Sequence, residues 1–140
     1  MNRFGAVILT AVALTFAVGC GGGNGLGLKA GDKLVVKQAL EREQFEASYG
    51  ESTDKIDHTD GALVDIPEGT VLEVFVTPKS DAKIIVVMPV KSKDDAGNEI
   101  TDVEALVNKF VPERYRTADF LYYTFSLKAE YLGTKVELLK

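Results

Sequence analysis

The chain has no tryptophan, one cysteine and one histidine in 140 residues. A lone cysteine, Cys20, excludes an internal disulfide and any thiolate metal cluster. Without tryptophan, the core must be built from aliphatic side chains with seven Phe and five Tyr. Positive charge is scarce as well: sixteen Lys and Arg face twenty-one Asp and Glu, a formal net charge of −5. A nucleic-acid binder needs a basic patch, so nucleic acid is a poor partner for this chain. Long hydrophobic runs are also missing. The longest, residues 5 to 18, is shorter than the roughly 20 apolar residues that cross a bilayer.

What is present at the start is specific. Arg3 is the one charge in the first 28 residues, and the apolar run from Gly5 to Val18 follows it. Small residues then lead to Gly19 and Cys20. A basic start, a short apolar core and small residues at the cut are the pattern of a secretory signal peptide. The sequence Ala17-Val18-Gly19-Cys20 resembles the lipobox of bacterial lipoproteins, although the family commonly has Leu where Ala17 stands. The resemblance implies a diacylglyceryl group on the Cys20 thiol and cleavage between Gly19 and Cys20. One acyl chain holds a protein only marginally to a membrane, and two or more hold it stably. Gly21, and not Asp, follows Cys20, which by the same resemblance implies the outer membrane or cell surface rather than the inner membrane. The expected organisation is a signal peptide over 1–19, a lipidated Cys20 with a Gly-rich tether over 20–31, and one domain over 32–140. Six of the thirteen glycines lie between Gly21 and Gly31, a composition that favours a flexible linker. Loss of Arg3 with the signal peptide leaves fifteen basic against twenty-one acidic side chains, a balance of −6.

The domain reads as mainly β with one helix. Lys33–Gln38 is rich in strand formers. Ala39 to Glu46 reads as a continuing strand, with a short helix as the alternative. Residues 48 to 61 are polar and rich in turn residues, which predicts a long exposed loop. That loop holds His58 among Asp54, Asp57 and Asp60. The spacing does not match a calcium loop, and no metal site is expected there. Pro67 and Gly69 mark a turn, followed by a strand with Leu72, Val74 and Val76 on one face. Ile84 to Val90 is apolar on both faces, as in a central strand, with Pro89 expected near its end or at an edge. Lys91 to Glu99 reads as a polar loop.

Thr101 with Glu104 three residues on forms a capping-box pattern ahead of a helix over 102–110. Val103, Leu106, Val107 and Phe110 make its apolar stripe. From Asp119 to Leu132, apolar residues alternate at Leu121, Tyr123, Phe125, Leu127, Ala129 and Tyr131, a half-buried strand. The turn-and-strand segment Ile66–Val74, with echoes at Gly31–Val36 and Gly133–Leu138, is similar to bacterial Src-homology-three-like domains. The family's usual tryptophan is missing, and no binding residue is carried across. The expected architecture is a small antiparallel barrel or sandwich of five to seven strands.

The function expected on this basis is a membrane-anchored, non-catalytic binding or assembly module of the cell envelope, with no cofactor. Its partners would be the membrane, through Cys20, and an envelope protein or glycan. Arg114, Tyr115, Arg116, Phe120 and Tyr122 form the candidate contact surface, because Arg and Tyr are enriched at binding hot spots. The bland alternative for the Arg-Tyr-Arg triplet is a linker whose arginines pair locally with Glu113 or Asp119. Two functional alternatives remain: a lysozyme-inhibitor-like lipoprotein, by analogy of fold alone, and an envelope hydrolase using paired carboxylates, Asp57 with Asp60 or Asp94 with Asp95.

Overall fold

The computed structural model describes residues 26 to 139. The signal segment, Gly19 and Cys20 lie outside the described residues. The described residues are mainly β, with eight strands and one α-helix. The strands are β1 (Lys33–Val36), β2 (Leu40–Ser52), β3 (Lys55–Ile66), β4 (Val71–Val74), β5 (Ile84–Lys93), β6 (Glu99–Ile100), β7 (Phe120–Lys128) and β8 (Val136–Leu138). Helix α1 covers Val103–Phe110. The sheet runs β3-β2-β7-β5-β4-β1-β8, with β6 paired to β5, and every pair is antiparallel. It does not close, because β3 and β8 end the order without pairing. The expected barrel or sandwich of five to seven strands is thus an open sheet of eight.

Period-two patterning accounts for the inner face. Phe45 and Ala47 of β2, Ile85 and Val87 of β5, and Tyr123, Phe125 and Leu127 of β7 alternate inward, and all are buried. Phe125 sits at the centre, with the ring of Phe110 edge-on at 5.2 Å. Phe110 and Leu106 are the residues α1 commits to the core. Val103 of the expected stripe is 76% exposed. It occupies the first turn, which has not yet reached the sheet. Asp102, not Thr101, caps the helix: its carboxylate accepts from the Ala105 N–H at 3.1 Å. Asp102 already has the extended backbone that a cap requires, so it stands one position inside the expected one.

Several expectations change. Residues 48–61 are not a loop but the two arms of the β2–β3 hairpin, turning at Thr53 and Asp54. The arms are polar because β3 is an edge strand whose outer part meets water on both faces. At Gly50 the hairpin closes so tightly that a Cβ would lie 2.2 Å from the Lys55 carbonyl. Ala39 to Glu46 is strand from Leu40 onward. Of the expected loop Lys91 to Glu99, residues 94 to 98 form the turn, while Lys91 to Lys93 belong to β5 and Glu99 opens β6. Pro89 lies inside β5 at a register shift, where Val71 pairs with Lys91 and Leu72 with Pro89. The bulge leaves one residue unpaired, which tolerates the missing amide donor. The strand expected from Asp119 to Leu132 is β7, which ends at Lys128, and a short 3-10 turn, Ala129–Tyr131, then carries Tyr131 into the core. Val76 lies past the end of β4 and is exposed, against the expected inward position.

Order also begins ahead of Lys33. Leu28 is 2% exposed within the core, and Leu26 packs against it. The Gly31 N–H donates to the Val74 carbonyl at 2.9 Å. The second half of the Gly-rich stretch is therefore held on the domain.

Candidate functional site

The hairpin and the segment after α1 meet at one rim of the sheet. Tyr49 and His58 are direct register partners across β2 and β3. Their rings stack at 4.6 Å and 15°. The Tyr49 hydroxyl donates to the Tyr115 carbonyl at 3.0 Å. The Tyr115 hydroxyl in turn donates to the Gly61 carbonyl of β3 at 3.1 Å. Its ring lies 6.1 Å from Phe45, so Tyr115 is fixed at both ends. The Arg114 guanidinium sits 4.6 Å over the Tyr115 ring, within cation–π range, while its side chain stays exposed. Phe120 closes the cluster, edge-on to Tyr49 at 6.1 Å and stacked near Tyr123.

Carboxylates surround these rings. Asp60 Oδ2 lies 4.0 Å from His58 Nε2, with both side chains about half exposed. Asp119 accepts a hydrogen bond from the Thr117 hydroxyl, while its backbone carbonyl takes the Gly50 N–H at 3.0 Å. The Thr117 bond holds the Asp119 carboxyl below its ordinary range, with a smaller contribution from His58. Burial pushes the Tyr49 phenol up, and the charges of Asp60 and Asp119 add to this. Tyr49 is thus a protonated donor, not a base. The rim offers one cation, ring edges from Tyr115, Phe120 and His58, and acceptors from Asp60 and Asp119. Such a set recognises polyhydroxylated or polar surfaces through stacking and charged hydrogen bonds.

The five residues singled out from the sequence separate into three places. Arg114, Tyr115 and Phe120 belong to the rim. Arg116 faces the helix instead: its Nε donates to the Val111 carbonyl at 2.9 Å and its Nη1 to Asn108 Oδ1 at 3.1 Å. It serves as a cap for the last turn of α1, where carbonyls lack helical partners. Tyr122 lies on the outer face, its ring stacked on Phe75 at 5.2 Å. Tyr49 and His58 were not legible as rim members, because residues 48–61 read as loop. An aromatic and a histidine spaced for cross-strand pairing about the Thr53-Asp54 turn is the signal that was there.

Neither carboxylate pair lines the cleft beside α1. That cleft, about 340 Å3, lies between the start of β2, the end of β3 and α1, with Glu41, Asp65, Lys109 and Phe110 on its walls. Asp57 and Asp60 sit on the exposed stretch of β3. Asp94 shapes the β5–β6 turn, its Oδ1 accepting from the Ala96 and Asn98 amides at 3.0 and 2.8 Å. The Asn98 amide bond is the largest cause that holds its carboxyl below the ordinary value. An acid held ionised in this way is unsuited to protonating a leaving group. Among the described residues, no cluster of three or more His, Cys, Asp or Glu is arranged to hold a metal ion. No helix among them is long and apolar enough to cross a membrane. Comparison with protein-family models, curated proteins and solved structures found no match to this chain, so the rim is described by its own residues alone.

Proposed function

We propose that this protein is a bacterial lipoprotein, exported, acylated on Cys20, and carrying a non-catalytic β domain that binds an envelope protein or glycan. The observation that carries the reading is the run from Arg3 to Cys20, with its apolar core, small residues and a single thiol in the chain. In this reading acyl chains at that thiol hold the domain at a membrane, and the resemblance, with Gly21 and not Asp after Cys20, implies the outer membrane or cell surface. The contact surface in this reading is the rim of Arg114, Tyr115, Phe120, Tyr49 and His58, with Asp60 beside it.

The fold supports a role in which the domain works close to its anchor. Leu28, eight residues after Cys20, is already seated in the core. A chain of eight residues spans at most about 28 Å, so the body stays near the bilayer.

Labelling cells with radioactive palmitate tests the anchor. The wild-type protein is expected to take up label and fractionate with membranes, and Cys20→Ser to do neither. Wild-type protein that is unlabelled and soluble would refute the lipoprotein reading. Crosslinking in intact cells, with wild type compared to Arg114→Ala and Tyr115→Ala, tests the rim. A partner or glycan captured by all three alike would place the contact surface elsewhere.

A further inference from the structure

The outer face of the sheet, opposite the core, carries apolar side chains that nothing among the described residues covers. Phe75 and Ile84 there are 39% and 46% exposed, and Val76, just past the end of β4, is 48% exposed. Tyr122 is half-buried against Phe75. Alternation along β5 puts Val86 and Met88 on the same face as Ile84, both half-buried. Monomeric proteins seldom leave contiguous apolar patches uncovered without a use.

The place of this patch is informative. The Ala30 N–H donates to Thr77 Oγ1 at 2.9 Å, and the Gly31 N–H to the Val74 carbonyl. The chain therefore enters the domain alongside Phe75, Val76 and Thr77. Leu26 is six residues after Cys20, a reach of at most about 22 Å. A domain of this size is roughly 30 Å or more across, from a radius of gyration near 13 Å. An anchor at Cys20 brings the entry side to the bilayer and keeps the far side away from it.

Charge agrees. The chain as a whole is acidic, yet the segment from Thr77 to Lys83 holds Lys79 and Lys83 against Asp81. Lys128, the register partner of Ile84 and on its face of the sheet, adds a third cation, with Glu130 two residues beyond it. Among the described residues, none of the three lysines is held in an ion pair. Lysines beside apolar and tyrosine side chains suit the headgroup region of an anionic leaflet.

We propose that Phe75, Val76 and Ile84, flanked by Lys79, Lys83 and Lys128, form a second, non-covalent contact with an anionic bilayer surface. The inference rests on Cys20 acylation. It fixes the orientation of the domain: the outer face lies on lipid beside the anchor, and the body does not swing freely.

The absence of native tryptophan gives a clean test. The full-length acylated protein carrying Phe75→Trp is placed on phosphatidylethanolamine vesicles with or without phosphatidylglycerol. Ile84→Trp is a second reporter, and Leu63→Trp on the exposed edge strand β3 is the comparison. Tryptophan at 75 and 84 is expected to shift its emission to the blue. Brominated lipids are expected to quench it severalfold more than tryptophan at 63, more strongly with phosphatidylglycerol present. Replacing Lys79, Lys83 and Lys128 by Glu is expected to remove the phosphatidylglycerol dependence. Palmitate-labelled protein with equal quenching at 75, 84 and 63 would overturn this contact and leave the anchor standing. Unlabelled protein would overturn both.

Discussion

Tyr131 and Glu43, 88 positions apart in the chain, meet inside the core. The Tyr131 hydroxyl donates to Glu43 Oε2 at 2.9 Å, and both residues are buried. Glu43 reaches this place through the irregular start of β2, where pairing with β3 slips between Leu40 and Glu43. Arg42, in the slip, has φ +56, and its N–H bonds Asp65. Tyr131 arrives from the 3-10 turn after β7. The bond thus ties the start of β2 to the turn after β7, at one end of that antiparallel pair.

Tyr131→Phe removes the donor and leaves a buried carboxylate without its partner. An orphaned buried polar group costs about 1–3 kcal/mol, so the urea midpoint should fall by a clear margin. Replacing both partners, Tyr131→Phe with Glu43→Leu, should recover much of that loss, since matched apolar groups need no hydrogen bond. Equal destabilisation by the single and double variants would show that the pair is not coupled.

Three tyrosines make the fold sensitive to alkali. Burial raises the phenols of Tyr49, Tyr123 and Tyr131 above their ordinary value of 10.0. Below pH 10 both folded and unfolded chains keep these protons, and stability does not change on their account. Above it the unfolded chain releases protons that the folded chain retains, so unfolding gains ground as pH rises towards the folded values. Urea midpoints followed by circular dichroism should fall steadily above about pH 10. Tyrosinate absorbance from these three rings should appear above the ordinary phenol range, together with unfolding. A single titration at the ordinary value in the folded protein would contradict this.

The two hairpin glycines with positive φ should differ. At Gly50 an added Cβ would meet the Lys55 carbonyl at 2.2 Å and the Asp57 amide at 3.0 Å. At Gly97, φ +87, nothing lies within 4 Å. Gly97→Ala carries only the backbone strain, about 1 kcal/mol. Gly50→Ala must also push β2 and β3 apart, and should be the more destabilising in thermal melts. Loss of amide protection at Tyr49 and His58 in hydrogen exchange would locate the damage.

These cases show where sequence periodicity carries structural information. Tyr123, Phe125 and Leu127 alternate because one face of β7 is dry and the other is not, and a period of two follows from that difference. Outer β3 has water on both faces, so Asp57, His58, Thr59 and Asp60 show no period and read as loop. The helix at Leu106 and Phe110 was legible from its stripe. Its cap was misplaced by one residue, because Thr101 and Asp102 are both good caps and backbone geometry chooses between them. The uncovered patch at Phe75 and Ile84 was beyond reach: β5 is apolar on both faces, and no pattern along one strand says that its outer face lacks a second layer. The rim was half legible, since Arg114 and Tyr115 stood out by type while Tyr49 and His58 needed the hairpin.

Arg114 and Arg116, two residues apart, should separate by measurement. Arg116 donates to the Val111 carbonyl and to Asn108, so Arg116→Ala strips the end of α1 of its partners. A loss of the order of 1 kcal/mol is expected, as for other hydrogen bonds at helix ends. Arg114 touches only the exposed side of Tyr115, so Arg114→Ala should change stability by no more than about 0.5 kcal/mol. If the rim is the contact surface, the order reverses for binding: crosslinking to a partner should drop with Arg114→Ala and persist with Arg116→Ala at temperatures where both variants are folded. Crosslinking that persists with Arg114→Ala as it does with Arg116→Ala would mean that Arg114 is no part of a recognition surface.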